Sequence, residues 1–128
     1  MIDRKDTDGS YALLILPTLR RIRAARGCAD ALAGGAAGAE LVACAELART
    51  TIVAVDRRLR AAGLYDLAQP DRLENDARRM AAACRLIDET RCELRELAHS
   101  IRQRAEAGGA GTDAALAELV ATLDGAFL

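Results

Sequence analysis

The sequence has very few aromatic residues. Among its 128 residues there are one Phe, two Tyr and no Trp, and there is a single histidine. Aromatic side chains are the usual stacking partners of nucleic-acid bases and flat cofactors. Their scarcity argues against a site for such ligands, and we expect no bound cofactor.

The sequence also lacks a long apolar run. The stretch "YALLIL" spans six residues before Pro17, and the preceding "MIDRKDTDGS" is polar with mixed charge. A membrane helix needs about 20 apolar residues, and a secretory signal needs a basic start and a longer apolar region. The sequence therefore predicts no membrane association and a cytoplasmic location.

No excess of charge of either sign is present. The chain has 18 basic residues, of which Lys5 is the only lysine, against 19 acidic residues, so its formal net charge is −1. Such a balance creates no overall field that attracts nucleic acid. The four cysteines are scattered with no C-x-x-C motif, which favours free thiols in a reducing compartment. They are Cys28, Cys44, Cys84 and Cys92.

The sequence is rich in residues that form helices. Its hydrophobic fraction of 52% is mostly Ala, Leu, Ile and Val, and Ala and Leu have high helix propensity. Gly-rich breaks at 33–38 and 107–111 and a third break at 61–72 divide the chain, and no strand-like alternation is present. Four helices are predicted, over residues 10–32, 39–62, 71–107 and 112–128.

The second and third segments carry the most regular apolar rows, or seams. Apolar residues recur at alternating steps of four and three, the period of coiled-coil packing. The third seam comprises Leu73, Ala77, Met80, Cys84, Ile87, Arg91, Leu94, Ala98, Ile101 and Ala105. Pro17 either kinks the first helix or marks its true start, and Thr112 or Asp113 caps the last.

These segments predict an all-α fold. We expect an up-and-down four-helix bundle with a long third helix and coiled-coil-like packing, formed by residues 10–128 as a single domain. Residues 1–9 are expected to be a flexible N-terminus. The alternative is a three-helix core in which the fourth segment is exchanged between subunits.

Arg91 interrupts the third seam with a charge. A shift of register by one residue substitutes Thr90, so this layer is polar in either register. We expect Glu40 or Glu46 of the second helix to pair with Arg91 in an antiparallel hairpin. Such a polar core layer can fix register at some loss of stability.

Cys92, Glu96 and His99 form a stripe of candidate metal ligands beside this layer. The Glu-x-x-His spacing of "ELAH" resembles that of ferritin-like diiron bundles, in which such pairs point into the core. At 100° per residue, however, these three residues lie about 130° or more from the centre of the seam. We therefore interpret the stripe as surface and predict no metal, with a metal-binding bundle as an alternative.

Arginines cluster near the start of the chain. Arg20, Arg21, Arg23 and Arg26 lie on the first helix and could form a basic patch that holds phosphates. Such clusters are typical of the solvated face of an amphipathic helix. Weak nucleic-acid binding is thus a further alternative, although the net charge argues against nucleic acid as a partner.

The remaining function class is interaction with protein. Cys92 and His99 are about 10 Å apart along one helix and cannot act together as nucleophile and base. His99 could meet Cys28 or Cys44 of another helix, but nothing in the sequence requires it, so an enzyme is not expected. By elimination, the sequence favours an adaptor, a regulator or a chaperone-like subunit whose partner is another protein or a second copy. A homodimer is the usual oligomer.

Overall fold

All regular secondary structure among the described residues is helical. The computed structural model describes residues 11–35, 38–64 and 77–125. A π-helical turn, Tyr11–Ile15, leads into the first α-helix. The four α-helices are α1 (Leu16–Gly35), α2 (Ala39–Ala61), α3 (Ala77–Gly108) and α4 (Ala114–Asp124).

The all-α prediction is confirmed, and so is the four-helix bundle. α1 and α3 each pack against both α2 and α4. Within this single chain α4 packs against α1 and α3, and exchange of the fourth segment between subunits stays a prediction. The expected flexible segment 1–9, the predicted helix start at 71–76 and Phe127 lie outside the described residues.

The helices differ widely in length, and this difference positions the candidate site. α3 has 32 residues and α4 has 11, which at 1.5 Å per residue correspond to about 48 Å and 17 Å. α4 therefore covers only about a third of the length of α3. Among the described residues, no helix is long and apolar enough to cross a membrane.

Pro17 marks the start of α1. It is the second residue of α1, whose first residue, Leu16, follows the π-helical turn directly. Proline is tolerated in the first turn of an α-helix because its missing N–H would have no partner within the helix there. The Thr18 hydroxyl donates a 2.8 Å hydrogen bond to the Leu14 carbonyl, which joins the two helical segments.

The ends of α4 are set by local sequence. The Asp113 carboxylate accepts a 3.0 Å hydrogen bond from the Leu116 amide, so Asp113 is the N-cap. The helix ends at Gly125, which has a φ of 84°. Glycine takes this left-handed conformation without the steric penalty that other residues meet.

The core is almost wholly aliphatic, and α3 presents a slightly different face to it than predicted. Ala83 and Thr90 are buried, whereas their neighbours Cys84 and Arg91 are only partly buried and Ala77 is exposed. Met80, Ile87, Leu94 and Ile101 are all buried, so the seven-residue repeat is kept, and the buried face shifts by one residue at the two layers between Met80 and Leu94. The polar layer of α3 is therefore supplied by Thr90, with Arg91 beside the core.

Candidate anion-binding pocket

A cavity of about 690 Å³ lies where α4 stops, between the first turns of α1 and the middle of α3. Glu118 and Thr122 of α4 and Gly125 after it form one part of the cavity wall, so the lining includes one carboxylate. The apolar part of its wall comes from Leu13 and Leu14 of the π-helical turn and from Pro17 and Ala24 of α1. Three arginines also line it: Arg20, Arg21 and Arg91.

Arg21 is the most unusual residue of this pocket. Only 3% of its surface is exposed, and its Nε and Nη2 atoms are buried with no hydrogen-bond partner among the described residues. The Nε atom of Arg91, on α3, is also buried without a hydrogen-bond partner among the described residues. Buried polar groups in proteins are nearly always hydrogen-bonded, so two such arginines in one wall call for an explanation.

The local electrostatics around Arg21 are unfavourable to its charge. Burial lowers the pKa of the Arg21 guanidinium, and the positive charges of Arg91 and Arg95 lower it further. The negative charge of Asp124 raises this pKa, and its effect is the smallest of the four. The Asp124 carboxylate also lies 4.0 Å from Nη2 of Arg102. An anion in the pocket would offset the repulsion between these guanidinium groups.

The hydroxyl groups of the pocket wall are already committed. Thr18 donates to the Leu14 carbonyl, and Thr122 donates to the Glu118 carbonyl, both at 2.8 Å. The Cys28 thiol lies 4.0 Å from the Thr122 hydroxyl. The arginine side chains are thus the strong hydrogen-bond donors that this wall offers to a ligand.

The chain matches no protein-family model, no curated protein and no solved structure. The geometry of the pocket and the chemistry of its wall are therefore the grounds for a functional assignment.

The predicted pairing of Arg91 with Glu40 or Glu46 is not formed. The Glu40 carboxylate accepts a 2.9 Å hydrogen bond from Nε of Arg104, and Glu46 lies 3.6 Å from Nη1 of Arg49 on its own helix. Arg104 is 13 residues beyond Arg91, which is about 20 Å along α3. The register of the α2–α3 hairpin therefore separates Arg91 from both carboxylates.

The stripe of candidate metal ligands is on the surface. Cys92, Glu96 and His99 are all exposed on α3, as their angular position predicts. Among the described residues no group of three or more His, Cys, Asp or Glu side chains is placed to hold a metal ion. All four cysteines lie within the described ranges, and all are free thiols.

The four arginines of the predicted basic patch do not share one surface. Arg20 and Arg23 are exposed, whereas Arg21 is buried in the pocket wall. Nη1 of Arg26 lies 3.9 Å from the Asp56 carboxylate of α2. The patch is thus divided between solvent, the pocket and an ion pair, which weakens its resemblance to a phosphate-binding face.

The sequence places Arg21 in the basic patch and Arg91 in the third seam, and neither pattern connects the two. The main apolar row of α1 passes through Leu19 and Ile22, which predicts that Arg21 is at the surface. A second row with the same period carried the missing signal. It contains Thr18, Arg21, Ala25, Cys28 and Leu32, of which all but Cys28 are fully buried.

Proposed function

We propose that the protein is a non-enzymatic binding protein whose bundle holds a small anionic ligand between α1, α3 and α4. The observation that carries this proposal is Arg21, which is 3% exposed, has two nitrogen atoms without partners among the described residues, and lines a cavity of about 690 Å³. Ligand pockets in proteins commonly have volumes of about 300–1,000 Å³.

A buried guanidinium needs a compensating negative charge. Removing a guanidinium from water costs several kcal/mol unless an oppositely charged group compensates. The planar guanidinium matches a carboxylate or a phosphate through two parallel hydrogen bonds. Arg21 and Arg91 approach the cavity from different helices, so one anion could accept hydrogen bonds from both and join α1 to α3.

The residues around the pocket support binding rather than catalysis. The wall contains one thiol, Cys28, which lies 4.0 Å from the Thr122 hydroxyl, and one carboxylate, Glu118. The single histidine, His99, is exposed on α3 and is not a lining residue. Nucleophilic catalysis needs a base within hydrogen-bond reach of the nucleophile. A regulator or adaptor that responds to a ligand fits this inventory better than an enzyme does.

The experiment compares thermal unfolding with and without anions at constant ionic strength. For a site that binds only the folded state, ligand at 100 times its Kd adds about 2.7 kcal/mol of stability. Phosphate, sulfate and carboxylates are expected to raise the Tm of the natural protein but not that of Arg21→Met. Arg23→Met is the matched control, because Arg23 is exposed on the same helix and does not line the pocket. Equal stabilisation of both variants would contradict the proposal.

We also propose that the protein binds a protein partner or a second copy of itself, and that it is cytoplasmic. Four free thiols fit a reducing compartment. Among the described residues the exposed large apolar side chains are Leu13 and Val42, and they belong to different elements. Light scattering at micromolar concentration, with and without a stabilising anion, tests self-association. A strict monomer under both conditions would exclude the homodimer.

A further inference from the structure

We infer that the ligand is amphipathic, namely an alkyl chain that carries a terminal carboxylate or phosphate. This inference rests on the proposed anion-binding function and adds the chemistry of the rest of the ligand. It follows from the two kinds of side chain in the pocket wall. Three arginines and Glu118 are charged, and Leu13, Leu14, Pro17 and Ala24 are aliphatic.

The aliphatic part of the wall is formed by four residues in the first turns of the chain's helical structure. They are Leu13, Leu14, Pro17 and Ala24. None of the described residues that line the pocket is aromatic, so this wall offers no ring on which a base or a flat cofactor could stack. A saturated chain gains from burial against aliphatic surface and needs no stacking partner.

Leu13 is placed as a contact at the mouth of the pocket. It lines the cavity and yet 81% of its surface is exposed, whereas its neighbour Leu14 is partly buried. Both belong to the π-helical turn Tyr11–Ile15, and π-helical turns occur frequently at functional sites. A chain that leaves the pocket past Leu13 would cover apolar surface that otherwise faces water.

The head group belongs at the cationic side chains of the wall, Arg21 and Arg91. The Nε atoms of Arg21 and Arg91 and Nη2 of Arg21 are buried donors without partners among the described residues. A carboxylate and a phosphate both satisfy such donors. They are distinguished experimentally by giving the same alkyl chain each head group in turn.

The test is a titration monitored in two ways. Calorimetry gives the Kd for butanoate, hexanoate, octanoate, octyl phosphate and inorganic phosphate. In parallel, alkylation of Cys28 is followed by peptide mass spectrometry, because Cys28 lines the pocket and Cys92, exposed on α3, serves as the internal control. We expect affinity to rise by up to about fourfold for each added methylene. Octanoate or octyl phosphate should protect Cys28 and leave Cys92 reactive.

Two variants test the head group and the alkyl chain of the ligand independently. Arg21→Met should weaken every anion by at least about tenfold, the value of one lost hydrogen bond to a charged group. Leu13→Ser should weaken the octyl compounds and leave inorganic phosphate unchanged, and it should fold normally because Leu13 is largely exposed. Val42→Ser is the matched control, since Val42 is exposed on α2 and away from the lining.

The outcomes distinguish this inference from the proposed function. If inorganic phosphate and butanoate bind as tightly as the octyl compounds and Arg21→Met abolishes binding, the pocket binds anions but the alkyl chain is wrong. If no anion binds and Cys28 is never protected, both are wrong. If neutral octyl glucoside binds as tightly as octanoate and Arg21→Met has no effect, the head group is wrong, and the proposed function with it.

Discussion

The side chain of Glu40 lies against the backbone of Gly108, in the space that a β-carbon at position 108 would occupy. From there its carboxylate accepts the 2.9 Å hydrogen bond from Nε of Arg104. This contact joins the start of α2 to the end of α3, and an ion pair between Arg58 and Glu93 joins the two helices again further along. Together they define the register that leaves Arg91 away from Glu40.

Gly108→Ala is expected to lower the free energy of unfolding by about 1 kcal/mol. The added β-carbon displaces the Glu40 side chain and weakens its pair with Arg104, which is partly exposed and worth at most about 1 kcal/mol. Urea unfolding monitored by circular dichroism measures the change. Gly27→Ala is the control: it lies inside α1 with open space around it and should stabilise by about 0.5–1 kcal/mol. If both variants are more stable than the natural protein, the contact between Glu40 and Gly108 does not oppose a β-carbon at position 108.

Arg21→Met is expected to stabilise the ligand-free protein by about 1–3 kcal/mol. The substitution replaces a buried guanidinium, whose Nε and Nη2 atoms have no hydrogen-bond partner among the described residues, with an apolar chain of similar length. Such replacements are often stabilising. Arg23→Met should remain within about 0.5 kcal/mol of the natural protein, because Arg23 is exposed. A large loss of stability in Arg21→Met would mean that Arg21 serves the fold rather than a ligand.

Asp113→Ala is expected to cost about 1 kcal/mol, because it removes the acceptor for the Leu116 amide at the start of α4. Asp113→Asn should retain most of the stability, since asparagine is an equally good N-cap. Chemical denaturation compares the three proteins. Equal losses in the alanine and asparagine variants would point to the charge of Asp113 instead of its hydrogen bond.

The stability of the protein should fall as pH rises above about 9, in part because of Cys44. Burial raises the pKa of this thiol above its ordinary value of 9.0; Glu40 adds to the effect and Arg104 opposes it. The folded state therefore keeps a proton that the unfolded state releases, and this contribution is lost as pH rises through the folded pKa. Unfolding free energies between pH 8 and about 10.5 should have a shallower slope in Cys44→Ala.

Alanine at Cys92, Glu96 and His99 together should leave both stability and metal content unchanged. All three side chains are exposed, and surface substitutions usually change stability by no more than about 0.5 kcal/mol each. Elemental analysis of untagged protein, natural and variant, provides the check. Stoichiometric iron, zinc or copper in the natural protein but not in the variant would show that Cys92, Glu96 and His99 bind a metal.

Local features of this protein were predictable because they depend on neighbouring residues. The helical period, the Gly-rich breaks and the Asp113 cap act over a few residues, and the structure has helices at all four predicted segments. The outward position of His99 follows from its angle on α3. Pro17 was ambiguous because the sequence does not reveal the π-helical turn before it.

The sequence by itself determined that this chain forms helices with apolar rows, since propensity and periodicity are local properties. Only the tertiary structure decided which row faces which neighbour. The hairpin register separates Arg91 from Glu40, and the packing of α1, α3 and α4 forms the cavity that Arg21 lines. Burial of Arg21 is a relation between helices distant in sequence, which is why an arginine predicted to be at the surface is part of the candidate site.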